Sequence, residues 1–246
     1  MRRIVLLFIL VTLVLTKIAV SSLIEVNIFE EIKGDVLRES KNISFGAVKF
    51  SIEFLNTGSI AYSARARIYI YKEGRLIFNG WSQEKSLMPG DIKNFDIYWL
   101  TNSSGKYESK LRMYFGNEIN ESEKDEFQVE TLKSEDVFEI TSFRTYDDHV
   151  VFDIRSKNDA KNVIIIPSKY SLGWIFEQKT LDYLKKDSIK TVSINYHPTV
   201  WESKSLKLAI ASNNGNYYSE KTVEMKKEEG ILGIIYSILD GLKTLF

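Results

Sequence analysis

Apolar and polar residues alternate with a period of two along most of the chain. Val48, Phe50, Ile52 and Phe54 alternate with Lys49, Ser51 and Glu53, the pattern of a strand with one face buried and one in water. Asn56, Thr57 and Gly58 end that run, because their side chains and backbone freedom favour turns. Arg65 to Tyr71 predicts the next strand, Lys72, Glu73 and Gly74 a hairpin turn, and Leu76 to Phe78 the returning strand. Met88, Pro89, Gly90 and Asp91 predict a tight turn. Beyond it Ile92 to Leu100 places Phe95, Ile97 and Trp99 on one face, Lys106 to Phe115 follows a loop of Asn102, Ser103, Ser104 and Gly105, and Phe127 to Leu132 closes the unit. The charged stretch Asn120 to Glu126 reads as a loop of this unit. Short strands at this spacing, with no helix among them, predict an antiparallel sandwich with Trp and Tyr in its core.

The same order then recurs. Val150 to Ile154 leads to Asn158 much as Val48 to Phe54 leads to Asn56. Tyr107, Glu108, Ser109 and Lys110 match Trp201, Glu202, Ser203 and Lys204, each before an apolar strand, Leu111 to Phe115 and Leu206 to Ile210. The expected architecture is therefore all-β: two tandem immunoglobulin-like antiparallel β-sandwiches, residues 24–132 and 135–226, joined at Lys133, Ser134 and Glu135.

The two ends have a different period. Arg2 and Arg3 precede Ile4 to Leu15, an apolar run broken only by Thr12, in the charge-then-hydrophobic order of a secretory signal. Residues 1–23 thus read as a hydrophobic helix, either a signal cleaved after Ser21, with Ala19 and Ser21 as the small residues, or an uncleaved anchor from Ile4 to Ile24. Both readings put the rest of the chain outside the cytoplasm. Residues 230–246 place Ile231, Ile234, Ile235, Ile238, Leu242 and Leu245 at helical spacing, an amphipathic helix. Gly233, Ser237 and Gly241 form a small-residue ladder on its other side, a candidate face for a partner helix. This helix is expected to pack on the protein, lie in a membrane interface or meet a protein partner, rather than span a bilayer with Asp240 inside.

Composition narrows the chemistry. Lys plus Arg and Asp plus Glu both number 33, so no net field draws in a polyanion, and nucleic acid is not an expected partner. There is no cysteine, which removes disulfides and thiolate metal or redox sites. His149 and His197 are the only imidazoles. No Gly-rich phosphate loop or nucleophile elbow appears, so no catalytic residue, metal site or cofactor is assigned and the chain is expected not to be an enzyme.

Val48 to Gly58, the Ser86 to Asp91 stretch (Ser, Leu, Met, Pro, Gly, Asp) and Gly105 to Phe115 give the first unit a resemblance to CARDB-like and related Ig-like modules of archaeal and bacterial surface proteins. The resemblance covers roughly residues 45 to 130. In the second unit Leu184, Lys185, Lys186 and Asp187 stand where the Pro-Gly turn would be. The resemblance implies a surface-exposed interaction or spacer module.

Asn42, Asn102 and Asn120 each open an Asn-x-Ser triplet in a predicted loop, and are candidate N-glycosylation acceptors, weighed against unmodified polar loops. Tyr146, Asp147, Asp148 and His149 bring carboxylates and an imidazole together, but adjacent strand-end residues point opposite ways and a hairpin turn is the expectation. Trp81, beside Gly80, is the candidate exposed aromatic for stacking on a glycan, whereas the other tryptophans are expected in cores. These readings lead to a non-catalytic exported protein, a spacer or recognition module at the outer face of the cytoplasmic membrane or the cell surface. The alternatives are an accessory subunit of an envelope assembly and a secreted carbohydrate-binding protein.

Overall fold

The computed structural model describes residues 30–131, 133–170, 174–197, 205–212 and 215–225. The N-terminal segment 1–23, the C-terminal segment 230–246 with Gly233, Ser237 and Gly241, and Trp201 lie outside the described residues. Contacts divide the chain between Glu31 and Ile32, and the strands all belong to the larger unit, which begins at Ile32.

The first half contains β1 (Gly34–Ser44), β2 (Ala47–Asn56), β3 (Tyr62–Lys72), β4 (Arg75–Trp81), β5 (Lys85–Leu87), β6 (Ile92–Leu100), β7 (Gly105–Phe115), β8 (Glu118–Glu121) and β9 (Asp125–Val129). One sheet has the order β1-β2-β6; the other has β3 and β7 at its centre, with β4 and β5 both on the free side of β3 and β8 and β9 both on that of β7. The predicted alternation holds in β2, where Val48, Phe50, Ile52 and Phe54 are fully buried. They meet Ala66, Ile68, Ile70, Leu111 and Met113 of the facing sheet, with Trp99 and Tyr107 in the same core.

The charged stretch read as a loop holds the end of β8, a three-residue break at Ser122 to Lys124 and the start of β9, short strands whose residues are mostly exposed. Each paired edge is interrupted at a serine. Ser82 N–H donates to Ala66 O, and Ser82 Oγ accepts from Ala66 N–H at 2.9 Å. Ser122 repeats this on the other edge with Leu111, at 3.0 Å for each bond. A hydroxyl thus stands in for the main chain where an edge strand bends away. β1 escaped the sequence reading because it is an edge strand with a bulge between Val36 and Arg38 and charged residues where the core periodicity asks for apolar ones. Lys41, opposite Phe50, pairs with Asp125 of β9 and lies 5.2 Å from the Phe127 ring. A charge aimed at the open side of a sandwich discourages foreign strands from adding there.

The second half contains β10 (Phe138–Thr145), β11 (His149–Ser156), β12 (Ala160–Lys169), β13 (Ile175–Phe176), β14 (Lys179–Leu184), β15 (Ile189–His197), β16 (Ser205–Ser212) and β17 (Tyr217–Glu224). Its sheets have the orders β10-β11-β15-β13 and β14-β12-β16-β17. With each interrupted edge of the first half counted once and the two-residue β13 set aside, both halves place their first, second and fifth strands in one sheet and order the other fourth, third, sixth, seventh. Phe138, Phe152, Val163, Ile165, Trp174, Tyr196, Leu208 and Ile210 form the second core.

In sheet β14-β12-β16-β17 the central strands β12 and β16 are buried on both sides. Val163, Ile165, Leu208 and Ile210 face the second core, while the alternate residues Ile166, Ala209 and Ala211 belong to the first core, with Ile164 packed against it. The halves are joined through this sheet, not only through the stretch Lys133 to Glu135. Small side chains allow close approach: a Cβ on Gly215 would stand 2.2 Å from the Phe45 carbonyl oxygen.

Strand register aligns Leu55 opposite Ile92 and Arg155 opposite Ile189, so Asn56 corresponds to Ser156 rather than to Asn158. The turn before the fifth strand has the same geometry in both halves. Asp91 N–H donates to Met88 O and Ser188 N–H to Lys185 O, while Gly90 N–H reaches Asn56 O and Asp187 N–H reaches Ser156 O. Gly90 has φ 82° and Asp187 φ 59°, so Lys186-Asp187 builds the turn that Pro89-Gly90 builds in the first half. A Cβ on Gly90 would meet nothing within 4 Å, which leaves backbone conformation as the cost of replacing it. Gly90→Ala is expected to lower stability by about 1 kcal/mol, and Gly90→Asp by roughly half that or less, because Asp tolerates the left-handed region better. Urea denaturation of the two variants checks this; equal costs would contradict it.

Candidate recognition surfaces

The outward positions of β3, β4 and β7 carry arginines and aromatic rings instead of the small polar residues of an ordinary wet face. Register places Arg67 opposite Arg112 on one side and Trp81 on the other, and Arg65 opposite Tyr114. The Arg67 guanidinium lies 4.6 Å from the Trp81 ring and 4.7 Å from the Tyr69 ring, and Arg112 lies 5.2 Å from Tyr69. Trp81 and Tyr114 touch at 5.2 Å between ring centres. Two arginines can sit opposite each other because ring faces and acceptors divide the charge: Arg67 donates to Asn79 Oδ1 at 2.8 Å and Arg112 Nε to Glu121 at 2.9 Å, while Arg65 pairs with Glu84 at 2.9 Å. Burial pushes the Tyr114 phenol up, but hydrogen bonds with Tyr69, Arg112 and Arg67 outweigh it and hold the group below the usual phenol range. The result is a zipped, semi-buried stack.

The second surface is the seam. Gln178, just before β14, reaches the edge of β6 with both ends of its amide: Oε1 accepts from Tyr98 N–H and Nε2 donates to Tyr98 O, each at 2.6 Å. That pair of bonds imitates a neighbouring strand. Tyr170 donates to Asn79 O across the same seam at 2.9 Å, and burial raises its phenol well above the usual range. Between β4 and the β16–β17 side runs a groove of about 670 Å³ whose lining includes Leu76, Ile77, Asn102, Tyr170, Lys207 and Tyr218. Leu76 and Ile77 are among the exposed large apolar residues. Tyr218 donates to Glu220 Oε1 at 2.7 Å, and Lys207 pairs with the same carboxylate. Burial followed by this hydrogen bond raises the Tyr218 phenol.

The three candidate asparagines are all exposed, but only Asn102 lies between strands; Asn42 is in β1 and Asn120 in β8. The expectation of three loops is corrected there. Asn42 and Asn102 border the seam. The serine hydroxyls of two triplets already serve the fold, Ser122 by bridging the β8–β9 break and Ser104 by accepting from Thr131 N–H at 3.0 Å. Trp81 was expected to be exposed and is 7 % exposed, because its outward position is covered by Arg67 and Tyr114. Tyr146 to His149 is the β10–β11 hairpin, closed by Tyr146 N–H on His149 O. There His149 Nδ1 lies 2.6 Å from Asp148 Oδ1 and its ring stacks on Tyr146 at 4.6 Å. Among the described residues no group of three or more His, Asp or Glu is arranged to hold a metal.

The sequence reading missed the arginine stack and Gln178. The first was visible as Arg65, Arg67 and Tyr69 at alternate positions of β3; nothing local marks Gln178, whose partner is 80 residues away.

Fold and surfaces together define the class, an all-β protein of antiparallel sandwich sheets. No protein-family model and no curated sequence matches the chain. Among solved structures it is similar to red sea bream transglutaminase at 8 % identity and a TM-score of 0.28, covering 79 % of this chain and 32 % of that one. The N-terminal periplasmic domain of ScsB from Proteus mirabilis is 9 % identical with a TM-score of 0.28, covering 77 % of this chain and 92 % of that chain. Exo-chitosanase CsxA from Amycolatopsis orientalis is 12 % identical with a TM-score of 0.26, covering 71 % and 25 %. The chain spans under a third of the transglutaminase and the chitosanase, and likenesses at these TM-scores carry no argument about activity.

Proposed function

We propose that this is an exported, non-catalytic surface protein whose two sandwiches are tandem immunoglobulin-like modules acting as one rigid recognition or spacer unit, held at the outer face of the membrane. The observation that carries this reading is the sheet β14-β12-β16-β17 with apolar side chains on both faces, which fixes the angle between modules that a flexible linker would leave free. The strand order common to both halves and the equivalent turns at Gly90 and Asp187 support the immunoglobulin-like, duplicated reading. The charge-then-apolar order at Arg2 to Leu15 supports export. The glycan-stacking alternative loses its proposed platform, since Trp81 is buried.

Fractionation of native cells, with external protease applied to intact cells and mass spectrometry of both termini, tests this reading. The chain is expected in the envelope or outside, open to protease. Recovery in the cytosol, protected in intact cells, would overturn it.

A further inference from the structure

The open edge of β15 differs from its counterpart in the first half. β15 pairs with β11 along Ile189 to Asn195, whereas β13 covers its other side only at Tyr196 and His197, extended by Glu177 N–H on Asn195 O at 3.0 Å. The chain then crosses to the facing sheet, where Lys179 pairs with Ile165. Since Asn195 turns its carbonyl to the β13 side, backbone alternation turns the N–H and C=O of Ser193 and Thr191 to the same side. No strand reaches them, and no hydrogen bond is made to these edge groups among the described residues.

In the first half, β6 holds the equivalent position, and side chains close its edge at Asn94 and Tyr98, leaving the Asp96 groups between them open among the described residues. Gln178 takes both main-chain groups of Tyr98, and Lys85 Nζ donates to Asn94 O at 2.6 Å. Register makes Thr191 the counterpart of Asn94 and Asn195 that of Tyr98. The second half has no stand-in at Thr191 or Ser193. Instead the edge lines a groove of about 360 Å³ between β14 and β15, bordered by Lys179, Leu181 and Lys190 and closed at the Asn195 end by Glu177. Glu177 is held there by Asn195 Nδ2 at 3.1 Å. Lys179 and Lys190 have no ion-pair partner among the described residues, whereas the inward Lys41 that guards the edge of β1 is paired.

We propose that the Thr191–Ser193 edge of β15 is a strand-addition site for an extended acidic segment of a partner protein. The segment continues β13 along β15, exchanging main-chain hydrogen bonds with Thr191 and Ser193 and placing carboxylates beside Lys179 and Lys190. Five residues at about 3.3 Å each span Ile189 to Ser193. The site holds whether or not the chain is tethered to a membrane.

The test titrates the protein with a synthetic peptide of alternating Glu and Val, its Lys and Val counterpart, and a Glu and Val peptide N-methylated at alternate amides. The acidic peptide is expected to bind saturably, with new hydrogen-exchange protection at the Thr191 and Ser193 amides, and N-methylation of the edge-facing amides or Lys179→Glu with Lys190→Glu to weaken it at least about tenfold. Ser193→Pro removes an outward N–H without touching the β11 ladder, and is expected to abolish binding at unchanged melting temperature. Absence of saturable binding, or binding indifferent to N-methylation, overturns the proposal even if the proline variant misfolds. So does a concentration-dependent dimer of the protein that Ser193→Pro dissolves, because the occupant would then be a second copy.

Discussion

Ile166→Ala is expected to cost about 3 kcal/mol, the loss of a fully packed aliphatic side chain plus the cavity it leaves. If the second sandwich were a separate bead, Ile166 would point outward from it, and truncating an exposed residue shifts stability by no more than about 0.5 kcal/mol. The structure instead gives Ile166 no exposure and puts it with Ile68 and Trp99 in the first core. Loss of this side chain therefore weakens both halves through their common sheet. Urea unfolding followed by tryptophan fluorescence reads this well, because Trp81 and Trp99 report on the first half and Trp174 on the second. The parent chain, with its four tryptophans, is expected to unfold in one transition. Ile166→Lys, which buries a charge without a counterion, is expected to separate it into two. Two transitions in the parent, together with a negligible cost for Ile166→Ala, would show the halves to be independent.

The shared sheet also explains which parts of the fold the chain advertises. A strand buried on one face alternates, and β2, β6 and β7 could be read almost residue by residue from Val48 to Phe115. A strand buried on both faces does not alternate. Val163, Ile164, Ile165 and Ile166 form a continuous apolar run in β12, and Leu208 to Ala211 does the same in β16. Such runs show that something covers the second face but not what covers it. The other omission has the opposite cause: Gly34 to Ser44 is an edge strand, its periodicity broken by the bulge and by inward charges that protect the edge. The Lys186-Asp187 turn escaped recognition because Asp can occupy the left-handed conformation that Gly90 adopts more readily. Trp81 beside Gly80 reads as a loop residue, but it ends β4. The register of β3, which pairs Arg67 with Trp81, brings the guanidinium over its ring.

Polar side chains completing strand edges recur throughout: Ser82 and Ser122 on the two edges of one sheet, Lys85 and Gln178 on β6. An unmet edge group in water costs little, but beside an apolar seam it would lose water on closure and cost about 1–3 kcal/mol. Gln178 therefore both satisfies Tyr98 and sets the position of the second half against the first. On β15, among the described residues, neither Thr191 nor Ser193 has such a side chain over its outward main-chain groups.

The second large effect is expected at alkaline pH. Tyr196 is fully buried, hydrogen-bonded to the Tyr146 carbonyl, and burial, then the charges of Asp147 and Asp148, raise its phenol far above the usual range. Tyr170 is raised by burial against the opposing charge of Arg67, and Tyr218 by burial and its bond to Glu220. A raised folded-state value means that the unfolded chain loses these protons first, near pH 10. Their contribution to stability is intact below that pH and falls as pH climbs from about 10 toward the folded values, by about 1.4 kcal/mol per pH unit for each group. Tyr114 has the opposite shift, so its contribution grows as pH rises toward about 10 and is constant above that, outside the window of this fall. Stability measured by urea denaturation should thus be level or rise slightly from about pH 8 to 10 and then drop by up to about 4 kcal/mol per unit. Tyr196→Phe should cost about 1 kcal/mol at neutral pH, for the lost hydrogen bond, yet reduce the alkaline slope by up to about 1.4 kcal/mol per pH unit. A slope unchanged by Tyr196→Phe, or a phenol absorbance titration in which all tyrosines ionise near pH 10 before unfolding, would exclude buried tyrosines as the cause.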